Sequence, residues 1–187
     1  MINISQCYAT GTVKGVTKVG GLIGYCSNAT ITDCYSTGNL EESPGWEGAG
    51  YSRQYMFRYF GGLIGTTSLA VITNCYSCGK VAGVPYAGYT QYEYHGFMGP
   101  SEYEYENTVV SSYFDVDKSG RTDNFATVKS TLEMKQQSTF IGWDFVGIWI
   151  IDSGVNDGYP FLLLSYTPSD ELNIFVITYI GIKQVTE

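Results

Sequence analysis

The chain has 187 residues, which is enough for one domain with a buried core. Glycine (23 residues) and tyrosine (17 residues) are abundant and only 15% of residues are charged, a composition that favours short strands joined by tight turns. The net charge of −8 argues against nucleic acid as a partner, because phosphate binding requires clustered Lys and Arg. It also disfavours anionic membranes, and no apolar run is long enough for a transmembrane helix.

The sequence repeats one pattern that has two parts. The first part, residues 4–13, contains Cys7-Tyr8, and the second part, residues 19–24, reads Val-Gly-Gly-Leu-Ile-Gly. The first part returns at 31–40 and 72–81 and begins again at 110–114, where Tyr replaces Cys; the second part returns at 60–65 and, degenerate, at 95–99. Self-similarity on this scale predicts a repeat architecture.

Gly21-Leu22-Ile23-Gly24 and Gly62-Leu63-Ile64-Gly65, together with the Cys-Tyr pairs, resemble the GLUG family over roughly residues 4–164. The resemblance implies a β-solenoid, an extracellular or cell-surface location and no recognised catalytic residues. The expected fold is therefore all-β: a parallel β-helix or β-solenoid of about three to four irregular coils in residues 1–114, followed by a C-terminal cap in residues 115–166 that contains one short helix.

Equivalent positions of successive coils should stack on one another. Gly20-Gly21 and Gly61-Gly62 are expected at corners, where a Cβ would block the backbone, and Leu22 and Leu63 are expected inside. Two further rows are expected along the walls: an aromatic ladder and a hydroxyl row, formed respectively by Tyr8, Tyr35, Tyr76 and Phe114 and by Ser5, Thr32, Thr73 and Ser111.

The five cysteines cannot all pair within one chain. Cys7, Cys34 and Cys75 share one repeat position, which predicts a ladder of thiols about 4.8 Å apart. Buried thiols that act as small hydrophobic groups explain this ladder, and the alternative is a disulfide, for which Cys7 and Cys34 are the best candidates. A zinc site is disfavoured, because the chain has a single histidine and no second Cys-x-x-Cys besides Cys75 and Cys78.

Two insertions separate the two parts of the pattern in the later repeats, at about residues 41–59 and 82–94, and both should emerge on the same side. Both are rich in aromatic residues, which suit packing or self-assembly and, alternatively, stacking on sugar rings. The candidate glycan or partner contacts are Trp46, Tyr51, Tyr55, Tyr86, Tyr89 and Tyr92.

Residues 115–123 supply the oxygen ligands and the glycine of a calcium loop. The candidate ligands are Asp115, Asp117, Ser119 and Asp123. However, Ala126 stands where such a loop has its bidentate glutamate, so an ordinary turn is the alternative, and calcium is the one cofactor that the sequence suggests.

The expected cap has three recognisable parts. Residues 130–133 read as a capping box that opens a helix to about Gln137, and residues 143–151 read as a strand that is apolar on both faces, whose tryptophans can close an open end of the core. Residues 167–187 form a terminal segment with an apolar strand at 172–182, which suits an assembly or linker segment.

The sequence therefore favours a structural or adhesive module rather than an enzyme, since a single histidine and no nucleophile motif are present. The first coil is expected to expose a bare strand edge, which favours a homo-oligomer or fibre. A glycan-binding module that uses the tyrosine-rich insertions is the alternative. No signal peptide pattern is visible.

Overall fold

The computed structural model describes residues 1–43, 58–83, 92–101, 106–122 and 125–163. Within these residues the chain consists mainly of short strands, and α-helix is limited to two single turns, α1 (Val116–Ser119) and α2 (Thr131–Met134). The strands are β1 (Ile2–Ser5), β2 (Tyr8–Ala9), β3 (Val13–Gly15), β4 (Val19–Gly20), β5 (Ile23–Ser27), β6 (Ala29–Thr32), β7 (Tyr35–Ser36), β8 (Leu40–Glu42), β9 (Arg58–Gly61), β10 (Ile64–Ser68), β11 (Val71–Thr73), β12 (Tyr76–Ser77), β13 (Tyr92–His95), β14 (Thr108–Val110), β15 (Tyr113–Asp115), β16 (Thr127–Lys129), β17 (Trp149–Ile150) and β18 (Phe161–Leu162).

Each repeat adds one strand to each of several parallel sheets. The isoleucine sheet has the order β1-β6-β11-β14, and the tyrosine sheet has the order β2-β7-β12-β15-β16. Smaller parallel sheets are formed by β4-β9-β13, β5-β10 and β3-β8. We call β1–β5 repeat 1, β6–β10 repeat 2, β11–β13 repeat 3, and β14 with β15 repeat 4. The chain is therefore all-β, with the parallel sheets that a β-helix requires.

The strands of neighbouring repeats pair in register, so that residues at equivalent positions of the repeat stack on one another. In the isoleucine sheet Ile4 pairs with Ile31, Ile31 with Ile72, and Ile72 with Val109. Ile31 and Ile72 are fully buried and belong to one core together with Cys34, Leu63 and Cys75.

The predicted alignment of repeat 4 was wrong by one residue. Tyr113, rather than Phe114, pairs with Tyr76 and continues the tyrosine ladder, while Phe114 pairs with Ser77 and is fully buried in the core. The hydroxyl row likewise ends at Val110, which pairs with Thr73, and not at Ser111. Side chains alternate between the two faces of a strand, so a slip of one residue exchanges the side chains that face the core with those that face away from it. The observed register is the one that buries Phe114.

The glycine pairs allow backbones to approach closely rather than to adopt unusual dihedral angles. A Cβ on Gly21 would collide with the carbonyl oxygen of Gly62, and a Cβ on Gly62 would collide with that of Gly96. None of the paired glycines has a positive φ. Left-handed backbone occurs instead at non-glycine residues, and one repeated corner position is filled by polar residues, namely Gln6, Asp33, Asn74 and Ser111, with φ of 50°, 53°, 52° and 44°.

The C-terminal part differs from the prediction in its elements. The capping box at Ser130 and Glu133 is confirmed, but α2 ends at Met134. The predicted strand over residues 143–151 is reduced to β17, because Asp144 Oδ1 accepts the backbone N–H groups of Val146 and Gly147 and closes a turn. A second helix, α1, was not predicted, and residues 164–187 lie outside the described part of the chain.

Replacing Gly62 with Ala is expected to destabilise the protein by about 1–3 kcal/mol, because the new methyl group must displace the backbone of Gly96. Gly11→Ala is the matched control, since a Cβ there meets no atom within 4 Å, and it should change the free energy of unfolding by less than about 0.5 kcal/mol. Urea unfolding monitored by circular dichroism measures both. Equal stability of the two variants would contradict this account of the glycine pairs.

Candidate functional site

The glycan contacts predicted from the insertions cannot be placed on the structure. Trp46, Tyr51, Tyr55, Tyr86 and Tyr89 lie outside the described residues, and of Tyr92 only the backbone is described, as the first residue of β13.

The points where the insertions join the sheets lie side by side. Leu40 and Val81 form a parallel bridge just before the two insertions leave, and Arg58 pairs with Tyr92 where they return. The expectation that both insertions emerge on one side is thus confirmed for their anchor points. Glu42 fixes this region, because its carboxylate forms an ion pair with buried Arg58 and accepts a hydrogen bond from Tyr94 Oη at 2.8 Å.

The residues proposed as calcium ligands are engaged with the protein itself. Asp115 is fully buried and caps α1; its carboxylate accepts hydrogen bonds from Lys118 N (2.9 Å), Thr131 Oγ1 (2.7 Å) and Tyr159 Oη (2.6 Å). Asp117 Oδ2 accepts from Thr131 N at 2.8 Å. Asp123 lies outside the described residues, and within the described ranges no cluster of three or more His, Cys, Asp or Glu side chains could hold a metal ion. Calcium binding stays a prediction.

The cysteines form the expected ladder, and all five are free thiols. Each thiol of the ladder donates at 3.2 Å to the carbonyl two residues earlier: Cys7 to Ser5, Cys34 to Thr32 and Cys75 to Thr73. Burial raises the pKa of the Cys75 and Cys7 thiols. A protonated, buried thiol is a poor nucleophile, so Cys75 behaves as a packing group, whereas a hydrogen bond with Cys75 lowers the pKa of the Cys34 thiol. Cys7 and Cys34 are not joined by a disulfide in this structure.

A wall of aromatic side chains covers the tyrosine sheet. Tyr8, Tyr35 and Tyr76 stack with ring centroids 5.0 Å apart and interplanar angles of 6° and 3°. The rings of Trp143 and Trp149 pack at 6.2 Å and 6.1 Å from that of Tyr76. The tryptophans thus lie along the side of the repeats, rather than across an end of the core.

Hydrogen bonds fasten the segment 134–163 to this wall. Trp149 Nε1 donates to Asp33 Oδ1 in repeat 2 at 3.0 Å, and Trp143 Nε1 donates to the carbonyl of Ser111 in repeat 4 at 2.8 Å. Tyr76 Oη in repeat 3 donates to the carbonyl of Pro160 at 2.6 Å. The segment 134–163, which we call the brace, therefore connects three repeats along their side.

The repeat 1 end of the stack is incompletely covered. Ile4, Cys7, Leu22 and Ile23 are only partly buried, whereas their equivalents in repeat 2 are buried. Among the described strands, all five of repeat 1 stand at the edge of their sheets. We call this surface the open end.

The sequence analysis did not predict two structural features of this region. The Asp33–Trp149 contact joins residues distant in the chain, and no local pattern indicates it. The left-handed corner could have been found, because Gln, Asp, Asn and Ser recur at one position of the repeat.

Comparison with protein families identifies part of the stack. The model of the GLUG motif matches residues 15–41, which run from the end of β3 to β8. Residues 15–41 are a GLUG motif. The motif thus contains the first Gly-Gly-Leu corner and the Cys34-Tyr35 pair, and the resemblance seen in the sequence is confirmed.

One curated relative contains sequence similar to this chain. A protein of Evansella cellulosilytica named as a Gly-rich membrane protein is 39% identical over 82 residues, which cover 35% of this chain and 9% of the relative. The chain thus spans less than a tenth of that relative's length. No solved structure matches the chain. Among the described helices none has the length and apolar character needed to cross a membrane.

Trp149→Phe is expected to lower the free energy of unfolding by about 1–3 kcal/mol, because it keeps the ring but leaves the buried carboxylate of Asp33 without this donor. Asp33→Asn is the matched control: it keeps an acceptor oxygen and tolerates the left-handed backbone, so it should cost less. Chemical unfolding of both variants is the measurement. An undiminished stability of Trp149→Phe would contradict a brace at this contact.

Stability should fall in alkali. Burial raises the pKa of Tyr35, Tyr76 and Tyr159 above the ordinary value, so these phenols stay protonated in the folded chain. In the unfolded chain they ionise near pH 10, and the stabilisation present below that pH is lost above it by about 1.4 kcal/mol per pH unit for each tyrosine. The buried thiols of Cys75 and Cys78, whose pKa is also raised by burial, act in the same direction from about pH 9.

Unfolding free energies measured between pH 7 and about pH 11 test this dependence. Tyr76→Phe should reduce the slope of the unfolding free energy above pH 10 by about 1.4 kcal/mol per pH unit, the contribution of one tyrosine. A slope that is unchanged in Tyr76→Phe would show that this buried phenol does not cause the loss.

Proposed function

We propose that the chain is a structural module of a surface-associated protein, that its parallel sheets wind into a β-solenoid, and that it associates with other modules through the open end. The GLUG motif supports a surface-protein context, and the name of the Evansella relative describes a membrane protein. The proposal places this chain at the outside of the cell and assigns it no catalytic activity.

The solenoid is supported by the order of the strands. Among the strands of repeats 1–4, neighbours in a parallel sheet come from successive repeats, so the chain advances by one strand spacing, about 4.8 Å, with each circuit. The core runs continuously through the repeats, because Ile31, Leu63, Ile72 and Phe97 belong to one buried cluster.

The open end is the observation that carries the proposed association. In the isoleucine sheet Ile31 and Ile72, which have a strand on each side, are fully buried, whereas Ile4 at the open end and Val109 at the other end of the sheet are partly buried. Unpaired strand edges beside a half-covered core are the surface on which a further β-structure can pair and exclude water. Ile2, which is 55% exposed although its partner Ala29 is 2% exposed, marks this surface.

Ile2→Lys is expected to weaken association of the full chain, because a charge at the open end must be desolvated when another strand covers it. Ile141→Lys is the matched control, since Ile141 is even more exposed, at 71%, but lies in the C-terminal segment. Light scattering after size exclusion, over a range of protein concentrations, gives the mass of each variant. A wild-type chain that stays monomeric at every concentration would refute association through the open end.

A further inference from the structure

The three thiols of the cysteine ladder differ in their access to solvent. Cys34 and Cys75, in repeats 2 and 3, have no exposed surface. Cys7, in repeat 1, is half-buried, because it lies at the open end. A small oxidant in solution therefore reaches the sulfur of Cys7 before it reaches the other two.

Cys7 and Cys34 are held against each other by the pairing of their strands. Tyr8 and Tyr35, which directly follow them, are paired in the tyrosine sheet, and Tyr35 N donates to the carbonyl of Cys7 at 3.0 Å. Cys7 N in turn donates to Cys34 Sγ at 3.4 Å. The sulfur of Cys34 thus already contacts the residue to which a disulfide would join it.

The position of repeat 1 at the sheet edges favours this pair over Cys34 and Cys75. Equivalent residues of adjacent strands are about 4.8 Å apart, whereas the Cβ atoms of a disulfide are about 3.5–4.5 Å apart, so a pair must close by roughly 1 Å or less. The strands β1 and β2 have a described neighbour on one side alone and can move towards repeat 2. Repeats 2 and 3 are paired on both sides, so the same movement there would stretch other strand contacts.

The chemistry of the two thiols gives them different roles. A hydrogen bond with Cys75 lowers the pKa of the Cys34 thiol, which increases the fraction present as the thiolate that attacks another sulfur. Burial and the neighbouring Cys34 raise the pKa of the Cys7 thiol, so its first oxidation is slower than that of a fully exposed cysteine. Cys7 is therefore the thiol that an oxidant reaches, and Cys34 is the thiol that resolves the product.

We propose that Cys7 is an oxidation site whose sulfur is captured by Cys34, so that a disulfide joins repeat 1 to repeat 2. With hydrogen peroxide as the oxidant, the Cys7 thiolate attacks one oxygen and the O–O bond breaks, which gives a sulfenic acid and hydroxide. The Cys34 thiolate then attacks the Cys7 sulfur, the S–S bond forms, the S–O bond breaks and a second hydroxide leaves. The two hydroxides take up the two thiol protons, so two thiols and one peroxide give one disulfide and two waters.

The disulfide would fasten the part of the stack that has the fewest neighbours. It closes a loop of residues 7–34 and ties the edge strands β1 and β2 to β6 and β7. Local opening of repeat 1 should then be rarer, and amide hydrogen exchange in β1 and β2 should slow on oxidation. The inference concerns the chain with its open end uncovered and does not depend on the proposed association.

Peroxide treatment of the full chain, at a concentration at which light scattering shows a monomer, tests the site. Alkylation of the remaining thiols and peptide mapping by mass spectrometry should show the loss of two of the five thiols and one peptide pair linked through Cys7 and Cys34. Dithiothreitol should restore both thiols. Cys26→Ser is the matched control, since Cys26 is a buried thiol outside the ladder that contacts Thr67 Oγ1, and it should form the same link.

Cys34→Ser and Cys7→Ser separate the two roles, and circular dichroism checks that each variant keeps the fold. Without Cys34, Cys7 should oxidise further to the sulfinic acid and form no link within the chain. Without Cys7, the remaining thiols should stay reduced under the same treatment. A Cys34–Cys75 link in the wild type, a dimer cross-linked through Cys7, or a wild-type chain in which Cys7 stays unlinked would each overturn the proposal, whatever the result for association.

Discussion

Stacking of each residue on its own equivalent is the constraint on which this structure depends. Parallel strands in register place Ile on Ile, Cys on Cys and Tyr on Tyr, at one strand spacing. A side chain at such a position must therefore tolerate itself as a neighbour. This explains why the stacked rows are aliphatic, thiol, aromatic or hydroxyl, since like charges at this spacing would repel. It also explains the paired glycines, because the backbone of the neighbouring repeat occupies the space that a Cβ would need.

The brace changes the energetics that a simple repeat array would have. In such an array each repeat contacts its neighbours alone, and stability is approximately a sum over adjacent interfaces. Here one C-terminal segment forms hydrogen bonds with Asp33, Tyr76 and Ser111, which lie in three different repeats. These repeats are thereby coupled, because losing the brace removes contacts from all of them at once.

Local patterns were enough to predict the repeat unit, the stacked rows and the capping box. They failed where the answer depended on contacts distant in the chain. Nothing near Val110 shows whether Tyr113 or Phe114 faces the core; the choice depends on Phe114 filling the space beside Gly96, which belongs to the preceding repeat. The lateral position of Trp149 depends on Asp33 in the same way. Asp115 and Asp117 accept backbone N–H groups at the start of α1 and α2, which uses the same carboxylate oxygens as a metal ion would, and calcium binding there stays a prediction.

The same constraint decides what kind of surface fits the open end. A flat or irregular partner could cover the half-buried Ile4, but it would leave the unpaired backbone groups of β1 and β2 without hydrogen bonds. A partner that satisfies both needs strands at its own edge and side chains that tolerate Ile, Cys and Tyr as neighbours. Those are the properties of the repeats in this stack, and they are the physical ground for the proposed association through the open end.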